Sequence, residues 1–429
     1  MNGYWGLVWL QFRKNKLALV SAIIIVVLLL MAAWAPVLAN GRPFVWKEWT
    51  TDAGGGHLET TYPLIRGLVA PEGVDYIFNY VFFLSLLAPF SIVLIRAIHK
   101  PGRYDRHKRT RLTWTAIGAS MLVAATPFLS VGMRERLATP DERKKNPEVT
   151  TVSEVCFLRL SRLDKRDYVS DRTHLDPAKG EGATFPIVSQ DPITPTPRIL
   201  HEPSSDNWLG TDFEGRDVLA RLLHGARISL SVGFVAVGIS VLIGIVIGGL
   251  AGYYRGWIDI AISRMIEVVI CFPSFFLIIT IIAFIEKRSI FHVMLVIGFT
   301  GWTGIARLVR GEFLKLADQD FVTSARALGC RGSRIMFAHI LPNALGPVLV
   351  SAAFGVAGAV LTESSLSYLG FGAPPPTPTW GEMISQGKTH IEEAWWLLFY
   401  PGVVIFLTVT VYNLAGDGLR DAMDPKMRT

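Results

Sequence analysis

The feature that most constrains this 429-residue chain is the clustering of its apolar residues into eight long blocks. They lie at about 17–38, 76–95, 112–133, 228–250, 266–285, 290–306, 343–362 and 396–415. A helix rises 1.5 Å per residue, so roughly 20 apolar residues cover the ~30 Å hydrocarbon core of a bilayer. Backbone polar groups in lipid have no water to bond, so blocks of this length must close their hydrogen bonds internally as helices. The expected fold is an all-α polytopic membrane protein of about eight spans. Composition points the same way: 51% of residues are hydrophobic and 18% charged, against about 25% charged in soluble domains.

The first block follows Arg13, Lys14 and Lys16 and contains Ala33-Trp34-Ala35, which invites comparison with a cleaved signal peptide. Its apolar run is too long for one, and Pro36 stands directly after the cleavage-like triplet, so it reads as an anchor. Half of the 42 Lys and Arg fall in segments 1–16, 96–111, 251–265, 307–342 and 416–429, whereas the short segments 39–75, 286–289 and 363–395 hold six. Cytoplasmic loops collect Lys and Arg, which puts both termini inside. The net charge of +7 is therefore an orientation signal and not a sign of nucleic-acid binding.

The spans form two groups. Segment 208–429 is a core of five spans with a cytoplasmic loop at 307–342. Ahead of it, 39–207 reads as an insertion: polar segments flank an extra hairpin, 76–133, whose basic turn 96–111 is cytoplasmic. Segment 139–207 is rich in Pro and mixed charge and reads as extended or weakly folded. Within the core, Gly244, Gly248 and Gly252 recur every four residues on one helical face, a pattern that lets two helix backbones approach closely.

Catalytic motifs are missing. There is no HExxH, no GxSxG, and the three cysteines (Cys156, Cys271, Cys330) are too far apart for a metal knuckle or disulfide framework. Gly381 to Thr389 ends like a phosphate loop, but the position five residues before its second glycine is Glu382. No enzyme, metal or cofactor is expected. Ionisable residues at membrane depth are functional candidates; Glu267, His292 and Glu363 come near, each within a few residues of a span end.

The loop 307–342 carries more pattern than a connector needs. Asp320 to Gly329 reads as a short helix, with Asp320 as N-cap and Gly329 as stop signal, and Pro342 is placed to open the next span. A helix surfaced with Ala, Ser and Gly suits close docking in another protein's groove, and equally could lie on lipid. The spacing Ala325-x3-Gly329-x9-His339-Ile340-Leu341-Pro342 resembles the "EAA" loop of ABC importer permeases. More narrowly the chain resembles the second permease of dipeptide/oligopeptide importers, a branch that includes nickel systems. The matching stretches are Phe12 to Leu19, Leu209 to Leu219, Gly225 to Leu230, Ser365 to Gly372 with Pro375-Pro376-Thr377-Pro378, and Gly416 to Asp421.

That resemblance implies a type I ABC importer permease in the bacterial cytoplasmic (inner) membrane. Its implied partners are a second permease, two ATP-binding cassette ATPase subunits and an extracytoplasmic solute-binding protein, with a short peptide as substrate. It assigns ATPase coupling to Asp320, Ala325, Arg326, Ala327, Gly329, Leu341 and Pro342. Two departures stand out: Thr323-Ser324 replaces the family's Glu-Ala, and 39–205 has no counterpart. A permease for nickel or another small solute, a proton-coupled carrier acting alone, and a membrane scaffold are the competing expectations. An ATPase gene and a binding-protein gene beside this one would separate the importer from the last two.

Overall fold

The computed structural model describes residues 4–39, 44–52, 55–61, 132–137, 151–156, 182–184, 186–188, 190 and 192–424 except 287. The chain divides into two compact units, Met1–Leu29 with Pro192–Thr429, and Leu30–Asp191.

The chain opens with α1 (Tyr4–Lys14) and, after Asn15, α2 (Lys16–Leu38). The Asn15 side chain accepts from the Ala18 amide at 3.2 Å and so caps α2. In the second unit the strands β1 (Val45–Asp52), β2 (Gly55–Thr61), β3 (Gly132–Leu137), β4 (Thr151–Cys156) and β5 (Gly182–Thr184) follow. β2, β1 and β5 form a three-stranded antiparallel sheet, with Trp46 opposite both Thr61 and Ala183, and β3 pairs with β4. β4 and β5 fall in 139–207, where the sequence predicts extended or weakly folded chain, and β1 and β2 lie in the polar segment ahead of the predicted hairpin. Val45 to Thr51 interleaves Trp with Lys, Glu and Thr, a composition that suits a pleated surface, but it lacks the apolar blocks by which the spans are found. The predicted hairpin 76–133 lies outside the described residues, except that Gly132 and Met133 belong to β3 and not to a span.

The first unit is helical: α3 (Val218–Tyr254), α4 (Gly256–Ile270), α5 (Ser274–Ala283), α6 (Ile290–Leu316), α7 (Asp320–Ala327), α8 (Leu341–Tyr368), α9 (Trp380–Gly387) and α10 (Trp396–Met423). Five of the described helical stretches are long and apolar enough to cross a membrane, and α4 with α5, bent by 77° at their junction, is either a sixth, broken span or a re-entrant loop. They coincide with six of the eight predicted spans, and most run further: the block at 228–250 is the middle of a 37-residue helix.

α3 and α6 form the most extensive helix pair. A Cβ at Gly244 would stand 2.5 Å from Ile305 Cγ2. One at Gly248 would overlap the Ala306 carbonyl, and one at Gly252 would come 2.6 Å from Phe313 Cβ. The three glycines are the surface on which α6 lies. Near the termini, Val8 and Phe12 of α1 are buried against Ala18 and Ala422, so the first and last helices are joined.

Candidate functional site

The described core presents two polar constructions, one at each end of its helices. The first is the loop between α6 and α8. α7 is amphipathic in a way its small-residue content conceals. Val322 and Ala325 point inward and join a core of Ile305, Val309, Phe313, Ile335, Met336 and Ile340. Outward stand Thr323, Ser324, Arg326, Ala327 and Gly329, with Phe321 at 40% and Leu328 at 85% exposure. The expected docking surface of Ala, Ser and Gly is thus partly inverted: Ala325 serves the chain's own core, and two large apolar side chains face out.

The ends of α7 show why it holds its shape. Gln319, not Asp320, is the N-cap, and Asp320 occupies the first turn, where its charge still favours the helix dipole. The Cys330 amide donates to the Ala325 carbonyl (3.1 Å) and the Gly329 amide to the Arg326 carbonyl (3.0 Å). This is a Schellman closure, and it requires the left-handed backbone that Gly329 adopts at φ +76°. The Thr323 hydroxyl donates back to the Asp320 carbonyl at 3.0 Å, so at the position of the family's Glu it offers no charge. The Arg326 guanidinium lies 6.0 Å from the ring centroid of Tyr253, the penultimate residue of α3.

Pro342 does not open the span. The helix already runs from a turn at Gly332–Arg334 through a π-helical stretch, Ile335–Ile340, into α8. The Leu341 amide reaches the Met336 carbonyl, five residues back, and Asn343 Nδ2 donates to the His339 carbonyl at 2.8 Å. Proline supplies no amide, and the widened turn directly before it adjusts the ladder. Leu341 packs against the same core as Ala325. Through Phe313, which also meets Gly252, this core connects α7 to α3 and α6.

The other construction lies at the opposite ends of α3 and α8. Residues 192–217 form a strap in which Asn207, Thr211, Asp212, Arg216 and Asp217 turn inward. Asp212 accepts from the Arg216 amide (2.8 Å) and Nε (2.7 Å). Arg221 Nε lies 3.5 Å from the same carboxylate, and Arg221 also binds Glu382 of α9. Asp212, Arg216 and Arg221 are almost wholly buried. Asp217 caps α3 through the Ala220 amide at 2.7 Å and accepts from Asn207 at 2.8 Å. Burial pushes the Glu382 carboxyl above its ordinary range, while Arg221 and Arg216 pull it back down.

Glu363, buried in α8, accepts from the Ser367 hydroxyl at 2.7 Å, and Ser229 of α3 accepts from the Trp380 amide at 3.2 Å. Trp380 and Trp396 close the assembly with indole bonds to the Leu222 and Thr211 carbonyls. Beside it opens a cleft of about 550 Å³, lined by Phe213, Glu214, Glu286, Arg288 and residues of α9. Sequence reasoning missed this network as a site. Its signal was the density of Asp and Arg in 212–221 just ahead of an apolar block, but side chains that polar are expected in solvent. His292 lies half-buried near the start of α6. Glu267 is exposed on α4, bound to Arg264 at 2.6 Å.

A bundle of long apolar helices with a capped short helix on one end and a charged strap on the other defines a polytopic membrane protein. Residues 244–429 match the family described as binding-protein-dependent transport system inner membrane component, and residues 3–52 match the N-terminal TM domain of oligopeptide transport permease C. The dipeptide transport system permease protein DppC of Alkalihalophilus pseudofirmus is 42% identical over 230 residues, 54% of this chain and 75% of that one. The oligopeptide transport system permease protein OppC of Bacillus subtilis is 40% identical over 53% of this chain and 74% of its own. The glutathione transport system permease protein GsiD of Pectobacterium atrosepticum is 40% identical over 54% and 77%. The chain belongs to the OppC/DppC-type permeases of binding-protein-dependent ABC transporters. It is a multi-pass inner-membrane component of a bacterial importer, and the permease itself is not the catalyst. Membership in a binding-protein-dependent ABC system implies ATPase subunits and a binding protein.

Proposed function

We propose that this permease pairs with a second permease to line a path for short peptides, with α7 as the element that two ATPase subunits engage. The observation that carries the coupling assignment is the seating of α7: a rigid helix, closed at Gly329, rooted in the core and presenting Phe321 and Leu328 outward. Displacement of α7 by ATP-driven closure of the ATPases would pass through Val322 and Ala325 to α6 and α8, and through Gly252 to α3. Packed interiors transmit such shifts because they are dense and resist continuous deformation. Asp320, Arg326, Ala327, Leu341 and Pro342 belong to this coupling region.

Peptides are the proposed cargo because the relatives are named for dipeptide, oligopeptide and glutathione transport. The strap and cleft at the outer face are where the binding protein would deliver them. Within this reading 208–429 is the transport core and 39–207 an insertion whose hairpin lies at the periphery.

The test is uptake of a labelled dipeptide into vesicles carrying the complete complex. Gly329→Val leaves free space around the new side chain but forces a β-branched residue into a left-handed backbone, at a cost of order 1–2 kcal/mol or more. It should leave the protein inserted while uptake falls at least tenfold, on the order of the same energy. Normal uptake by this variant would sink the coupling assignment.

A further inference from the structure

The corner where α3 turns into α4 is held against a local backbone preference. Arg255 is at once the C-cap of α3 and the N-cap of α4, with φ +55° and ψ −161°, and Gly256 follows at φ +57°. Glycine enters that region freely, whereas any side chain there crowds its own backbone. Among the described residues only Leu200 is another non-glycine residue at positive φ. A glycine at 255 would make the same turn without strain, so the turn alone does not account for an arginine.

What the arginine adds is a grip on the end of α6. Arg255 Nη2 donates to the Leu314 carbonyl at 3.1 Å and to Asp318 Oδ2 at 2.7 Å. Leu314 is among the last four residues of α6, whose carbonyls a helix leaves open and whose dipole favours a cation. Asp318 lies in the short link 317–319 that leads from α6 into α7. The two side chains are 43% and 70% exposed, and an ion pair this open adds little stability. Charge-assisted bonds do fix geometry, so the effect of this one is on position.

Other residues of the corner hold the far end of the same element. Arg326, in the last turn of α7, lies 6.0 Å from the Tyr253 ring centroid. Gly332, beyond the closure of α7, is so near that ring that a Cβ would stand 3.3 Å from it. Asp259 accepts from Arg310 of α6 at 2.8 Å. The corner thus meets the entry of α7, its exit and the end of α6. The apolar core beneath α7, by contrast, contains no residue of α4.

We infer that Arg255 is a positioning residue in the coupling step: by holding Leu314 and Asp318 it fixes the α3–α4 corner to the entry of α7, so that α4 follows when α7 is displaced. The inference rests on the reading of α7 as the element the ATPases engage. It adds a second connection, made by polar ties at the corner, to the one made by apolar packing.

The experiment uses complete complexes in proteoliposomes and reads labelled dipeptide uptake and ATP hydrolysis together, giving ATP consumed per peptide moved. Arg255→Gly suits the turn and removes both bonds. It should unfold in detergent no lower than the unmodified protein and copurify with the ATPase, with hydrolysis unchanged and uptake reduced. Losing two bonds from a charged donor is on the scale of about a tenfold rise in ATP per peptide. Arg255→Lys keeps both the charge and the strained backbone, and should fall between Arg255→Gly and the unmodified protein. Asp318→Asn changes an exposed residue and should raise the ratio by a smaller factor. Arg255→Gly/Asp318→Asn should be no worse than Arg255→Gly alone, because the two residues act through one contact.

A tie that serves stability only predicts a different outcome: uptake and hydrolysis change together and the ratio stays constant. An unchanged ratio in Arg255→Gly overturns the inference, as do effects that add in full in the double variant. Should Arg255→Gly not assemble, Asp318→Asn decides alone, and an unchanged ratio there overturns it. Gly329→Val reports separately on the underlying reading. If it lowers uptake while Arg255→Gly leaves the ratio unchanged, only the role of the corner fails. If it leaves uptake normal, both readings fail.

Discussion

Gly248 and Gly238 lie on the same helix with opposite surroundings. A Cβ at Gly248 would overlap the Ala306 carbonyl and approach Val309, whereas one at Gly238 meets nothing within 4 Å. Gly248→Val should therefore force α3 and α6 apart and destabilise the protein by about 1–3 kcal/mol, the usual effect of overpacking. Gly238→Ala should be neutral or slightly stabilising, since alanine favours helix. Thermal unfolding in detergent separates the two.

Arg221 and Glu382 offer a second test. Removing one partner of a buried pair costs about 3–5 kcal/mol because a charge is left alone, while replacing both with apolar residues is often near neutral. Arg221→Met should be severe and Arg221→Met/Glu382→Met much milder. Burial already raises the Glu382 carboxyl, and losing Arg221 raises it further. A carboxyl with a raised pKa disfavours the folded state once ionised, so the single variant should be worst at neutral pH and recover as pH falls through the raised value. None of this was visible from the spacing of Asp212, Arg216 and Arg221, because sequence does not tell whether a charge has found a buried partner.

Among the elements, the glycine spacing on α3 and the closure of α7 at Gly329 were legible because both follow from local rules: small residues permit backbone contact, and a left-handed residue ends a helix. The orientation of α7 was not. Ala325 and Ala327 are alike in the sequence, and only the position of α6 and α8 turns one inward and the other out. Likewise Pro342 reads as a helix start, yet the helix passes through it because a π-helical stretch precedes it.

α4 is tied to α6 by Asp259, which accepts from both Nε and Nη2 of Arg310, and the Arg310 carbonyl in turn approaches Gly252. Asp259→Asn should speed amide hydrogen exchange in 256–262 while leaving the middle of α3 and α6 unchanged, since local opening follows local contacts.

For the whole molecule, the distribution of Lys and Arg predicts which ends of the helices face inside, and labelling tests it directly. A cysteine at Leu328, 85% exposed, should react with an impermeant maleimide only from the cytoplasmic side, and one at Ile391, 57% exposed, only from the outside. A cysteine in the 96–111 turn should behave like the former; its labelling from outside would overturn the proposed hairpin topology.

The sequence by itself determined that this chain crosses a membrane and to which family it belongs, and its loop charges set the expected direction. Hydropathy and loop charge act through solvent, and they are set by residues in one dimension. The tertiary structure alone decided that the strap 192–217 buries Asp212, Arg216 and Asp217, that α7 turns Phe321 and Leu328 outward, and that the chain between α3 and α6 is bent with Arg264 and Glu267 on its open face. Each depends on which neighbour a side chain meets, and residues as distant as Arg221 and Glu382 become neighbours only when the helices pack.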